Sequence, residues 1–220
     1  MDWKLSLGIS AVVVLFIGVS IFVGIYIWTK KYTKKFIEKT QRENIEQLKS
    51  IRNDMGILPF ELENNFKNKI NPYDIEGVIN TIFLNNYKTK LIIAKDEEFS
   101  FACVSLKTKD QIYYELKEFN FEKYNQVRFE KPEYFPNEIL LYNGQNLDFV
   151  GVFRSNYTLE EIFEKYYSIL NPNGMIMVLL KNYSKRSLNT IIQTLKSKNI
   201  NYEVSYISSK FLFISKKIEI

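Results

Sequence analysis

The sequence predicts an α/β domain with a mostly parallel sheet, carried behind an N-terminal transmembrane helix and a helical stalk. Three observations carry that reading. Leu5 to Trp28 is an uncharged apolar stretch, longer than the roughly 20 residues a helix needs to cross a hydrocarbon core. Leu147 to Phe153 and Met175 to Leu180 are apolar runs rich in β-formers on either side of a helical segment, the order of a β-α-β unit whose strands are buried on both faces. Tyr202 to Ile207 and Phe211 to Ser215 alternate polar with apolar residues across Ser208-Ser-Lys210, which reads as a terminal hairpin. The expected division is residues 1–29 as anchor, 30–56 as basic stalk and 57–220 as the α/β domain.

Lysines follow the anchor at once, at positions 30, 31, 34 and 35, whereas only Lys4 and the amino terminus precede it. The positive-inside rule then places the carboxyl-terminal domain in the cytoplasm and the amino terminus outside, giving a single-pass cell-membrane protein whose first partner is the lipid bilayer. Tyr26 and Trp28 stand at the interfacial position. Ser20-x-x-x-Gly24 offers a place for two such helices to touch, so self-association through this helix or the stalk stays open. Residues 30–55 carry spaced apolar positions, Phe36, Ile37, Ile45, Leu48, Ile51 and Met55, too irregular for a coiled-coil seam.

Within the domain, Asn71-Pro72 starts a helix with Ile75, Val78, Ile79, Ile82 and Phe83 on one face. Lys90 to Ala94 is the first strand, Glu97 to Leu106 a helix, and Gln111 to Leu116 the second strand. A third strand is expected around Gln126 to Phe129, while Asn137 to Asn146 reads as a short helix and turn. Leu147 to Phe153 is the fourth. Thr158-Leu-Glu-Glu161 is a capping box that opens the next helix, and Asn171-Pro-Asn-Gly174 is expected to end it. After the fifth strand, Ser187 is expected to open a helix with Leu188, Ile191, Ile192 and Leu195 on one side.

Charge and composition narrow the chemistry. Of the net charge of +5, residues 30–55 hold a surplus of four, eight basic against four acidic, and residues 56–220 hold only one. A nucleic-acid footprint would have to lie on the folded domain, so no nucleic-acid partner is expected. Cys103 is the sole cysteine and there is no histidine. These counts remove a disulfide framework, Ser-His and Cys-His catalysis and histidine metal sites, and no metal is expected.

The β/α series ending in helix, strand, turn and reversed strand resembles the class I S-adenosylmethionine-dependent methyltransferase fold over about Lys88 to Ser215. Leu147-Asp148-Phe149-Val150 looks like that family's fourth-strand motif, and Leu170-Asn-Pro-Asn-Gly174 looks like its turn before strand five. Anchor and domain together resemble the small membrane-anchored methyltransferases of wall-less bacteria. The resemblance implies a Rossmann-like, methyltransferase-type sheet in which the last strand runs antiparallel between its neighbours. It implies S-adenosylmethionine as cofactor, held at Ala94, Lys95 and Asp96 after strand one. Glu115 is placed for the ribose hydroxyls and Glu130 for the adenine edge. Arg154, Asn156 and Tyr183, beyond strands four and five, are the candidate catalytic residues. The chain departs from the family at Ala94-Lys-Asp-Glu-Glu98, where the glycine-rich turn should be and no glycine stands. Asp96, Glu97 and Glu98 are expected to satisfy the dipole and amides of the helix start and to repel a pyrophosphate, which disfavours a dinucleotide. Two functions follow. One is a membrane-anchored methyltransferase of unassigned substrate. The alternative is a catalytically inactive methyltransferase-like domain serving as a membrane-tethered interaction module.

Overall fold

The computed structural model describes residues 18–33 and 57–217. The chain divides into two compact units, Met1–Asn53 and Asp54–Ile220, and each is treated by itself. In the first unit, residues 18–33 form one helix, α1, with every residue exposed. Thr29 and Thr33 fold their hydroxyls back onto the carbonyls four residues earlier, and Trp28 stacks on Tyr32. At 1.5 Å per residue the described residues of this helix extend about 24 Å. Among the described residues no helix is long and apolar enough to cross a membrane. The first part of the expected span, Leu5 to Ile17, and most of the expected stalk lie outside the described residues.

In the second unit one sheet of seven strands has the order β3-β2-β1-β4-β5-β7-β6. The strands are β1 (Lys90–Ala94), β2 (Ile112–Tyr114), β3 (Ile139–Leu141), β4 (Leu147–Arg154), β5 (Leu170–Leu179), β6 (Asn201–Tyr206) and β7 (Lys210–Ser215). β1 to β5 are mutually parallel, and β7 runs antiparallel between β5 and β6. This is the Rossmann-like, methyltransferase-type arrangement that the sequence resembles. Helices α2 (Pro72–Leu84), α3 (Glu98–Lys107) and α4 (Phe121–Glu130) cover one face, over Ile92, Phe149, Met177 and Phe211. Helices α5 (Leu159–Tyr166) and α6 (Lys185–Ser197) cover the other, over Leu91, Ile93, Val150, Ile176 and Leu212. Alternation along each strand divides the core between the two layers.

Local chemistry starts the helices. Asn71 caps α2 by accepting from the Tyr73 amide, with Pro72 at the first helical position. Thr158 and Glu161 form the full capping box of α5. Ser184, not Ser187, caps α6, and it accepts from the Ser187 amide. The Asp74 carboxylate of α2 accepts from the Ser208 and Ser209 amides, 2.9 and 2.7 Å away, and so holds the β6–β7 turn. Gly77 permits that approach, since a Cβ there would meet the Ile207 methyl Cγ2 at 2.9 Å.

Three expectations are corrected. Gln126 to Phe129 is not a strand but part of α4, whose start is fixed by Asn120 accepting from the Lys123 amide. Phe129 is 90% exposed, an impossible fate for an inward residue of a buried strand. The third strand is Ile139–Leu141, inside the stretch expected to be a short helix and turn, where it pairs in parallel with β2. Asn171 to Gly174 does not end α5, which stops at Tyr166, but bulges out of β5 between Leu170, paired with Leu147, and Met175, paired with Phe149. Asn173 takes the left-handed conformation there, with φ 63°.

Asp148 sits opposite that bulge. One carboxylate oxygen accepts from the Lys88 and Thr89 amides, each at 2.9 Å, and the other accepts from the Asn171 side-chain amide at 2.7 Å. The amino ends of β1, β4 and β5 are thereby tied at one residue. Nearby, the ammonium of fully buried Lys90 donates to the carbonyls of Tyr87, Lys88 and Lys109, and burial pulls its pKa down to about 8.

Burial works to raise the Asp148 carboxyl, but the hydrogen bonds from Asn171, Thr89 and Lys88 outweigh it and hold the pKa below the ordinary value of 3.8. An ionised Asp148 therefore stabilises the fold above pH 3.8, and that gain is lost as pH falls through the lower folded value. Asp148→Asn should lower the unfolding free energy by about 1–3 kcal/mol at neutral pH. Denaturant titrations of the full-length chain followed by circular dichroism should show the gap closing below pH 3.8. A gap that stays constant into acid would show that charge is not what Asp148 contributes.

Candidate functional site

The parallel strands deliver their carboxyl ends to one edge of the sheet. From β1 the chain goes to β2 and β3 on one side, and β4 and β5 lie on the other, so the switch of direction falls at the β1–β4 pair. Open α/β sheets bind ligands in the crevice at such a point. The register of β4 on β1 shifts there, between Ile93 and Ala94, and the Lys95 amide continues the ladder by donating to the Arg154 carbonyl at 3.0 Å. Bulges of this kind re-aim side chains beside ligand sites.

The glycine-free turn reaches its conformation through Asp96, with φ 54°. Aspartate is among the few residues that visit this region without a helix-scale penalty. Its carboxylate lies 3.8 Å from the Arg154 guanidinium, with both side chains partly exposed. The expectation that the acids satisfy the amides at the start of α3 does not hold, although Glu97 stands at its N-cap and Glu98 in its first turn, where its dipole favours an acid. No side chain caps that helix, and the buried Glu97 carboxylate instead accepts from the Lys69 amide at 3.0 Å. Burial raises the Glu97 pKa, against that hydrogen bond and the Arg154 charge. Phe99 is fully buried and stacked on Phe60.

Glu115 directly follows β2 and its side chain is only 14% exposed. Its carboxylate accepts from the Tyr157 hydroxyl at 3.0 Å, and also from the Tyr166 hydroxyl and the Lys165 ammonium of α5. Lys165 lies over the Tyr157 and Tyr166 rings, 4.4 and 5.2 Å from their centroids, a cation–π arrangement that fixes the ammonium as well. Burial works to raise the Glu115 carboxyl, but the bonds from Lys165, Tyr166 and Tyr157 win and hold it below the usual range. The turn Leu116–Glu118 then brings in buried Glu118, which accepts from the Asn156 amide at 3.0 Å. β1 lies between β2 and β4, so these bonds cross above its carboxyl end.

The other expected residues divide. Ala94 and Lys95 stand at the turn, Ala94 buried and Lys95 half-buried. Arg154 and Asn156 follow β4 at the crevice, the first paired with Asp96 and the second bonded through its backbone to Glu118. Tyr183 follows β5 and donates to the Tyr157 carbonyl at 3.2 Å. Burial first, then the Glu118 charge, pushes its phenol well up. Glu130 is not after strand three at all. It is the exposed last residue of α4, paired with Gln126, and the residues that do follow β3 are Tyr142 and Asn143. The sequence reading missed Glu118, Tyr157, Lys165 and Tyr166. Spacing relates only Tyr157 and Lys165, which with Glu161 are four apart about the capping box, and it does not point to Glu115. Cys103 is buried in α3, and burial raises its thiol far from reactivity. Among the described residues no group of His, Cys, Asp and Glu is placed to hold a metal ion.

No family model matches the sequence, and no curated protein matches it. Solved structures do. A Staphylococcus aureus protein classed as a caffeoyl-CoA O-methyltransferase superposes with a TM-score of 0.54 at 15% identity, covering 80% of this chain and 99% of that one. A Bacillus cereus O-methyltransferase in complex with S-adenosylhomocysteine superposes with a TM-score of 0.54 at 10% identity, covering 81% and 91%. A tRNA (m1A58) methyltransferase of Aquifex aeolicus superposes with a TM-score of 0.51 at 14% identity, covering 69% and 72%. At these identities the likeness is one of fold. The chain has the fold of the class I S-adenosylmethionine-dependent methyltransferases.

Proposed function

We propose that this chain is a membrane-anchored S-adenosylmethionine-dependent methyltransferase whose cofactor lies in the crevice above β1. The observation that carries the reading is a carboxylate, Glu115, at the end of β2 in a sheet of order β3-β2-β1-β4-β5-β7-β6. Ribose hydroxyls donate to an acid at that position in Rossmann-like sites. The residues fit the adenosyl group in kind and position. Glu115 takes the ribose, and the backbone from Ala94 to Asp96 forms the floor beneath it. Glu130 has no part, being on the outside of α4. S-adenosylmethionine supplies a methyl group on a positively charged sulfur, and its transfer needs chiefly alignment of the acceptor, so a site without histidine suffices. Arg154 and Asn156 at the end of β4, and Tyr183 beyond β5, stand where an acceptor substrate would be oriented.

The anchor is the apolar stretch from Leu5 to Trp28. Its described portion carries Ile21, Phe22, Ile25 and Ile27. The lysines beyond it support a cytoplasmic domain by the positive-inside rule. Association of copies through α1 or the stalk remains part of the proposal, and the near-neutral domain argues against nucleic acid as acceptor.

Two experiments test it. In membranes from expressing cells the chain should stay in the pellet through salt and carbonate washes, and protease added to intact cells should spare the domain. Extraction by carbonate would overturn the anchor, and digestion would overturn its orientation. Calorimetry of the full-length chain in detergent should show saturable binding of S-adenosylmethionine and S-adenosylhomocysteine. Glu115→Gln should weaken it about tenfold to a hundredfold, the loss of a hydrogen bond to a charged group. Absence of binding in a folded sample would overturn the enzymatic reading and leave the interaction module.

A further inference from the structure

The crevice is bridged by its own residues. Asn156 and Tyr157 form a strap after β4 that reaches over the end of β1 to two carboxylates beyond β2: the Asn156 amide to Glu118, and the Tyr157 hydroxyl to Glu115. A carboxylate offers about four acceptor positions. Glu115 uses three, on Tyr157, Tyr166 and Lys165, whereas a ribose diol brings two donors. One resident must leave. Tyr166 and Lys165 belong to α5, with Tyr166 fully buried. Tyr157 precedes the helix and is half-buried, so it is the donor that can swing away, giving up the hydrogen bond that its hydroxyl accepts from Lys165 and the cation–π contact of its ring. Its departure leaves α5 intact, because Thr158 and Glu161 cap that helix without it. The strap also has a restoring contact, the Tyr183 hydroxyl on the Tyr157 carbonyl.

We propose that Asn156 and Tyr157 are an autoinhibitory strap, latched across the carboxyl end of β1 by Glu115 and Glu118, and that an adenosyl ligand seats only when Tyr157 releases Glu115. The inference rests on the proposed cofactor site and makes Tyr157 a competitor of the ribose for one carboxylate. Lys165 stays on Glu115 in the open state and keeps it ionised.

The test pairs a ligand-free readout with a ligand readout on the full-length chain in detergent, using wild type, Tyr157→Phe and Glu118→Gln. Hydrogen exchange read by mass spectrometry should find the 155–158 segment protected in wild type and at least several-fold faster in both variants. S-adenosylhomocysteine should speed exchange of the same segment in wild type, and Tyr157→Phe should bind it about tenfold more tightly, the equivalent of removing one competing hydrogen bond. Unchanged exchange in both variants overturns the strap whatever the ligand does. Wild-type binding that leaves the segment protected, with unchanged affinity in Tyr157→Phe, overturns it as well. Faster exchange in the variants with no ligand bound by any of the three keeps the latch and removes the cofactor reading instead.

Discussion

The carboxylate of Asp148 is the constraint on which the crevice depends. It accepts from two backbone amides that lead into β1 and from the Asn171 side chain within the bulge of β5. The Asp148 amide in turn donates to the carbonyl and hydroxyl of Thr89. Those contacts set the stagger of three adjacent strands at their amino ends. Because strands rise about 3.3 Å per residue, a slip of one position would carry Arg154 and Ala94 out of level and move each side chain of the slipped strand to the opposite helical layer. The Asn171–Gly174 bulge absorbs the surplus residues of β5 without disturbing the pairing of Met175 with Phe149. Order at one edge of the sheet produces the geometry at the other.

At that other edge the logic is polar. Glu115 and Glu118 come from a single short stretch after β2, yet they bind different parts of the strap after β4. Desolvation opposes a carboxylate at Glu115, and a buried acid without donors would be neutral. The two tyrosines and Lys165 reverse that and favour the charged form. The same contacts occupy the carboxylate, so its charge is held by partners from the β4–α5 region.

Much of the fold was legible because its signals are local. The capping box at Thr158, Asn71-Pro72, the Lys90 to Ala94 run and the terminal hairpin each name an element from a few neighbouring residues, whereas the order with β7 between β5 and β6 was implied only by the resemblance to the methyltransferase fold. The third strand was not legible. Ile139–Leu141 is three residues long and partly exposed, and it is a strand because β2 offers it a partner. Gln126 to Phe129 contains β-formers and became helix because Asn120 caps it and Tyr124 and Val127 then face the core. Misplacing that strand carried Glu130 into a site from which it is absent. Glu115 was legible through its distance from strand one. Its partners were not, since only the tertiary fold brings α5 over the end of β2.

The missing glycines turn out to constrain the site less through backbone shape than through charge. Asp96 adopts the left-handed conformation that glycine would supply, at a penalty of roughly 1–2 kcal/mol for an ordinary residue and less for aspartate. The turn therefore forms. What differs from a glycine turn is that a carboxylate now projects toward Arg154 and a second, Glu97, is buried against the Lys69 amide. Two acids at the start of a helix leave little attraction for a phosphate, whose recognition depends on bare amides and a positive end. A ligand with positive charge on sulfur and on an amine meets no such penalty. Acids at this turn thus disfavour nucleotide phosphates by electrostatics.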